Sequence, residues 1–233
     1  MINNNVINAE NILIVKYIEG TVFKDLHNIG ATKIKSNCFK FEYGLVKGSI
    51  DFSDCISIGE YAFYDCRQLT TVNFPSCTTI GNSAFVNCWN LTTISFPACT
   101  SIGSYAFEEC QSLITVDFPV CETIEACAFY RCTSLMSISF PVCTTIQQSA
   151  FYSCAQLTSV DFPACTSIGF QAFSSCSSLT TASFPNCNYI ASGAFDRCRS
   201  LMSLYLLGSS IPTLASLTAF SSTPIRTSVG GVY

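Results

Sequence analysis

Every 22 residues this chain returns to the same pattern, and that period decides more about its fold than any motif inside it. The unit Leu69-Thr70-Thr71-Val72-Asn73-Phe74-Pro75-Ser76-Cys77-Thr78-Thr79-Ile80-Gly81-Asn82-Ser83-Ala84-Phe85-Val86-Asn87-Cys88 recurs, varied but in register. One cysteine column runs through Cys55, Cys77, Cys99, Cys121, Cys143, Cys165 and Cys187; a second runs through Cys66, Cys88, Cys110, Cys132, Cys154, Cys176 and Cys198. A fixed step of this size means that no unit has a core of its own, and each buries its apolar face by stacking on its neighbours. The 233 residues therefore read as one elongated solenoid rather than one or two globular domains.

Within a unit, Val72 and Phe74 alternate across Asn73, the period-two signal of a short strand with those two side chains inward. Pro75 has no amide hydrogen to continue a ladder and ends the strand. The chain then turns, re-enters the core at Ile80 and bends at Gly81. Ala84 and Phe85 are expected to insert from a short helical or 3-10 segment on the opposite side, with Cys88 and Leu91 closing the coil. Equivalent residues of stacked strands lie about 4.8 Å apart. Two aromatic columns follow: Phe63, Phe85, Phe107, Phe129, Phe151, Phe173, Phe195, and Phe52, Phe74, Phe96, Phe118, Phe140, Phe162, Phe184. At this regularity they are a core rather than a cofactor box.

The ends depart from the pattern. Residues 1–33 do not repeat and read as an N-terminal cap, because an open solenoid end would expose apolar core. A degenerate first repeat follows, with Ile34 in the role of Ile80, Cys38-Phe39 in that of Ala84-Phe85, and Leu45 in that of Leu91. The 24-residue step from Ile34 to Ile58 places a two-residue insertion near Val46-Lys47-Gly48. With the seven 22-residue repeats, the solenoid spans 34–208. Residues 209–233 read as a degenerate final repeat and tail, with Ile211 echoing the Ile80 position. The ending Gly230-Gly231-Val232-Tyr233 offers no obvious polar cap, as though the natural chain continued.

Hydrophobic residues make up 49% of the chain, yet Ser, Thr and Asn interrupt every apolar run well short of a bilayer span, so membrane insertion is not expected. Only 11 Lys plus Arg and a net charge of −4 argue against a nucleic-acid partner, which needs a basic stripe to neutralise phosphates. The start, Met1-Ile2-Asn3-Asn4-Asn5-Val6, has no basic n-region, and Ile12-Leu13-Ile14-Val15 is too short for a signal core. A cytoplasmic chain, one released by another route and one whose leader has been removed all remain open.

Leu69-x-x-Val72-x-Phe74-x-x-Cys77 followed by Ile80-Gly81-x-x-Ala84-Phe85-x-x-Cys88-x-x-Leu91 resembles the BspA-like leucine-rich repeats of gut and oral bacteria and some protozoan parasites. The likeness covers about 47–208. It departs at Glu125, Gln147 and Ala191, where Gly is usual, and at Ala182 in the strand. The resemblance implies an α/β solenoid: a right-handed leucine-rich-repeat horseshoe, with a parallel β-sheet on one face and short helical or 3-10 turns on the other. It also implies a surface or secreted role, as an adhesin or protein binder. Repeats of this kind also look like those appended to structural proteins of phages of gut bacteria, which would make the chain a structural spacer.

Sixteen cysteines invite a metal or disulfide reading. Zinc sites need short paired spacings that converge, whereas stacked columns give parallel ligands, so no metal and no cofactor are expected. Neighbours in a column lie within disulfide range, but parallel Cβ vectors disfavour the required dihedral. Columns of free buried thiols are therefore expected, as suits a reducing or anaerobic setting. Cys127, off both columns, is the cysteine best placed to be exposed and reactive, although a neutral substitution is the favoured reading of it.

No catalytic constellation is evident. The single histidine, His27, falls in the cap, Asp117 and Asp161 stand two coils apart, and Asn90-Leu91-Thr92 is an isolated glycosylation sequon. Binding is expected along the sheet, where outward strand positions form a flat, hydroxyl-rich, almost uncharged face. Its candidate residues are Thr71, Asn73, Thr93, Ser95, Thr115, Asp117, Ser137, Ser139, Ser159, Asp161 and Tyr205. Thr181, Ser183 and Ser203 complete those columns. This face reads either as a platform for a glycan or extended polypeptide, or as Thr and Ser placed where exposed strands favour them. The opposite side carries Tyr61, Tyr64, Trp89, Tyr105, Tyr130, Tyr152 and Phe170, readable as interface anchors or as rings lying over turns. The function read from the sequence is thus a non-enzymatic binding or adhesion module for a protein or glycan ligand.

Overall fold

The computed structural model describes residues 6–7, 32–40, 46–206, 213–214 and 217–224. The chain winds as a parallel-strand solenoid, one turn per repeat, and each coil supplies two strands. Strands of three to six residues, such as Gln68–Asn73 and Ser159–Asp161, form a wide face. Two-residue strands form a narrow face, a continuous ten-stranded parallel ladder from Val6–Ile7 to Thr213–Leu214. Pairing steps by one repeat: Thr79 opposes Ser101, and Ile80 opposes Ile102.

The core is columnar. Leu69, Val72, Phe74, Cys77, Ile80, Ala84, Phe85 and Cys88 are each no more than 2% exposed, as the alternation predicts. Rings at the Phe85 position stack nearly parallel at 5.0–5.4 Å from Phe63 to Phe195. Each also meets a ring of the other column edge-on or tilted, as Phe85 meets Phe96 edge-on at 6.1 Å and Phe107 meets Phe118 tilted at 6.2 Å. Both geometries suit the ring quadrupole.

The turn side departs from expectation: it is not helical. Among the described residues the one helix is the 3-10 turn Leu217–Phe220. Elsewhere left-handed residues interrupt every coil, such as Ser83 at φ 54° and Asn87 at φ 59°. Bonds of 3.3–3.4 Å from the amides of Ala84, Val86 and Cys88 to the carbonyl three residues back resemble a 3-10 helix. The intervening amides point along the solenoid axis instead, those of Ser83, Phe85 and Asn87 donating to the carbonyls of Ser104, Ala106 and Glu108 at 2.7–2.9 Å. Left-handed backbone costs an L-residue about 1–2 kcal/mol, and each coil-to-coil bond recovers about 0.5–1.5 kcal/mol. A third ladder replaces the helix.

Departures at the Gly81 position leave the register of the narrow ladder intact. A Cβ on Gly81 would lie 2.6 Å from the Glu60 amide nitrogen, so the coils approach closely there. Glu125, Gln147 and Ala191 carry a Cβ at the equivalent place, yet Thr123 still opposes Thr145 and Ser167 still opposes Tyr189. In the first repeat Ile34 opposes Ile58, and Phe39 stacks on Phe63 at 4.9 Å. The insertion appears as a register shift between Gly48 and Ser49. At the other end Leu214, not Ile211, continues the Ile80 column, opposite Ile190. That longer step lets Phe220 stack on Phe195 at 5.6 Å. His27 and Leu45 lie outside the described residues.

Candidate functional site on the wide face

The wide face is not one continuous sheet. Its ladder divides into a five-stranded sheet ending at Ser137–Ser139 and a three-stranded sheet beginning at Ser159–Asp161. At an intact step such as Ser159–Asp161 to Thr181–Ser183, the Phe162 amide donates to the Ser183 carbonyl at 2.9 Å, and the Thr180 amide donates to Thr158 at 2.8 Å. At the division, neither the Phe140 amide nor the Thr158 amide makes its equivalent bond. The rings beneath respond, with Phe140 and Phe162 at 6.0 Å and Phe162 and Phe184 at 5.5 Å. A weaker version occurs one repeat pair earlier. There only Thr93 opposes Thr115, and Phe96 and Phe118 again stand 6.0 Å apart. Behind both joints the turn-side rings keep 5.2–5.3 Å spacings, so the opening is confined to one face.

A shallow hollow of about 310 Å³ begins at the division and runs to Tyr205. Ser137 and Ile138 border it on one side; Ser159, Val160 and Asp161, then Thr181, Ala182 and Ser183, form its floor; Ser203 and Tyr205 close it. Outward Ser and Thr are too short to cover the backbone between them, and Tyr205, 41% exposed, supplies a wall. Asp161 is exposed and has no ion pair or side-chain hydrogen bond among the described residues. Asp51 differs: its Oδ2 accepts from Asn73 Nδ2 at 2.9 Å.

The hollow gathers four of the sequence candidates: Ser137, Ser159, Asp161 and Tyr205. Thr71, Asn73, Thr93, Ser95, Thr115, Asp117 and Ser139 lie on the same face outside it, and Asn73 is held by Asp51. Thr181, Ser183 and Ser203 belong to the hollow although they stood outside the candidate set. A signal for the division exists in the sequence: both open joints fall where Ser is followed one coil later by Asp, at Ser95/Asp117 and Ser139/Asp161.

The opposite aromatics are largely taken up by their own neighbours. Tyr130 and Tyr152 stack at 4.9 Å, and Tyr61 meets Tyr64 edge-on. Lys40 Nζ lies 4.4 Å from the Tyr61 ring centre. The Arg67 guanidinium covers Trp89 at 4.0 Å while gripping the buried Asp65 carboxylate at 2.6 and 3.2 Å. These contacts favour rings lying over turns; Tyr105 and Phe170 stay exposed. Burial, with Glu109 beside it, raises the Glu108 carboxyl, and Arg131 opposes the shift.

All 16 cysteines are buried thiols outside any disulfide. The two columns divide the labour. Cys77 Sγ donates to Thr79 O at 3.3 Å within its own turn, whereas Cys88 Sγ donates to Phe63 O at 3.2 Å in the preceding coil. Burial pushes the Cys55 and Cys121 thiols up to about 11 and Cys77 and Cys143 up to about 12. Such thiols stay protonated near neutral pH and are poor nucleophiles. Cys127 contradicts expectation: it is 7% exposed. Its left-handed backbone turns the thiol beneath the preceding coil, where it meets the Tyr105 hydroxyl, and burial raises it too.

The repeats match the model of the BspA type leucine rich repeat region in six copies, over residues 32–141 and 100–225. The chain belongs to that family. Among solved structures, it resembles a leucine rich cell surface protein from Faecalibacterium prausnitzii, at 28% identity and a TM-score of 0.63 over 76% of this chain and 59% of that one. A leucine-rich repeat protein from Bacteroides ovatus is similar at 27% identity and a TM-score of 0.68, over 75% of this chain and 46% of the other. This BspA-type chain thus spans about half the length of those relatives. The leucine rich repeat protein of T. pallidum aligns over 80% of both chains at 26% identity, with a TM-score of 0.54. No curated protein matches the sequence. Among the described residues no helix is long and apolar enough to cross a membrane.

Proposed function

We propose that this chain is a non-enzymatic binding module that presents its divided wide face to a protein or glycan ligand, in the setting of a cell-surface adhesion protein. The observation that carries this reading is the hollow from Ser137 to Tyr205, where unpaired backbone, hydroxyls, an unengaged carboxylate and an exposed ring converge. The solenoid behind it is a stiff support, with aromatic columns in register on either side of the division. The description of the F. prausnitzii relative as a cell surface protein supports the setting. The protonated, buried thiols support a non-catalytic role.

The test is a screen of the purified chain against immobilised glycans and extracellular matrix proteins, alongside Thr181→Arg, whose side chain fills the hollow. At least one ligand is expected to bind the parent and be lost from Thr181→Arg at unchanged melting temperature. A ligand held equally by both proteins would place the site elsewhere. Binding to nothing in either panel would leave the spacer role.

A further inference from the structure

We infer that the hollow takes a neutral oligosaccharide. This rests on the proposed binding role of the wide face and specifies its ligand class.

Charge makes the first selection. Among the described residues, Asp161 and Tyr205 are the ionisable groups lining the hollow, and no Lys or Arg borders it. An acidic ligand would meet an uncompensated carboxylate with no cation in reach. Hydrogen-bonding capacity makes the second. Ser159, Thr181, Ser183 and Ser203 present hydroxyls that each donate and accept, and the Asp161 carboxylate only accepts, through two oxygens. A polyol, whose neighbouring hydroxyls are themselves donors and acceptors, matches that set. The Tyr205 ring offers an apolar plate with a polar tip, against which the C–H face of a sugar ring can lie.

Shape argues against an extended peptide. Strand addition needs an unpaired edge with about 4.8 Å of room beside it. The joint between Ser137–Ser139 and Ser159–Asp161 opens the underlying rings only from 5.5 to 6.0 Å, which unpairs the ladder without admitting a strand. A volume of about 310 Å³ lies at the small end of ligand sites and suits a few rings lying across the strands.

The test uses the intact chain on an array of neutral and acidic (sialylated, uronate-bearing and sulfated) oligosaccharides, with melting temperature measured for every variant. The parent is expected to bind neutral members and not acidic ones. Tyr205→Ala should weaken that binding about tenfold or more, Thr181→Arg should abolish it, and Asp161→Lys should shift preference toward acidic members. Glu122→Gln, off this face, should change nothing. Equal binding of neutral and acidic members, indifference to Tyr205→Ala, or no oligosaccharide bound at all would overturn the inference. If a matrix protein is then captured by the parent and lost from Thr181→Arg, the wide face remains the site and only the ligand class is wrong. If no ligand responds to Thr181→Arg, the site itself falls.

Discussion

The two sides of one coil solve the same stacking problem differently. On the turn side, alternating left-handed residues send every second amide to the next coil, and the ring column behind them barely varies in spacing. On the wide face, strands rely on outward-facing residues that change from coil to coil, and their ladder lapses wherever Ser gives way to Asp. Regularity on one side is what makes irregularity on the other affordable. The face that lapses is also the one that carries the hollow.

The largest expected effect erases the distinction altogether. Thiols in both columns, Cys77 and Cys198 among them, have pKa values raised in the fold by burial, so their contribution is present below the unfolded thiol pKa and is lost as pH rises toward the folded one. Each such cysteine withdraws about 1.4 kcal/mol per pH unit above roughly pH 9. Circular dichroism should therefore show cooperative unfolding before pH reaches the folded value of about 12 for Cys77 and Cys143. Persistence of the fold beyond that point would contradict buried, protonated columns.

Next comes a pair of core deletions. Phe129→Ala, in the evenly spaced turn-side ring column, should cost about 3–5 kcal/mol by denaturant unfolding. Phe140→Ala, beside the open joint, should cost about 1 kcal/mol less, because one of its stacked partners already stands off. Equal costs would mean that the joint carries no energetic deficit. Smaller again is the effect on amide exchange. The amides of Phe140 and Thr158 should exchange on the order of tenfold faster than those of Phe162 and Thr180. The smallest test sharpens the turn side: Ser175→Gly, at φ 64°, should stabilise by about 0.5 kcal/mol, since relief of left-handed strain slightly exceeds the flexibility gained by the unfolded chain.

Much of this was legible in the residues. The 22-residue step placed Phe85, Cys88 and Ile80 in columns because burial depends on period and residue type. Both are local. The cysteines could be read as packing for the same reason. The turn side was not legible: Ser83, Tyr105, Cys127 and Gln171 share no side-chain chemistry, only a backbone angle, and nothing in their types announces it. Cys127 was misplaced on that account, its variability suggesting exposure when its backbone directs it inward. The hollow escaped as well. It begins where the strands Ser137–Ser139 and Ser159–Asp161 are left unpaired and runs over the paired strands to Tyr205, whereas patterning reports only which faces are polar. Leu214 rather than Ile211 continued the core because ring stacking at Phe220, not spacing alone, fixed the last step.

The axial amides of the turn side give the array a direction. Around the left-handed residues, as at Ser83, Phe85 and Asn87, the donors face the coil made later, so during synthesis these bonds wait for the succeeding coil. In the last of these turns the amides of Phe195 and Arg197 find the carbonyls of Ala219 and Ser221, at 2.8 Å each. On this side a cut at the C-terminal end would strand amide donors, which are costly when unmet, and a cut at the other end would strand carbonyls, which tolerate a missing partner better. The narrow face runs the opposite way, the Thr78 and Gly81 amides donating to the Ile56 and Ile58 carbonyls of the preceding coil, so each end of the array has donors to cap, on opposite sides of the coil.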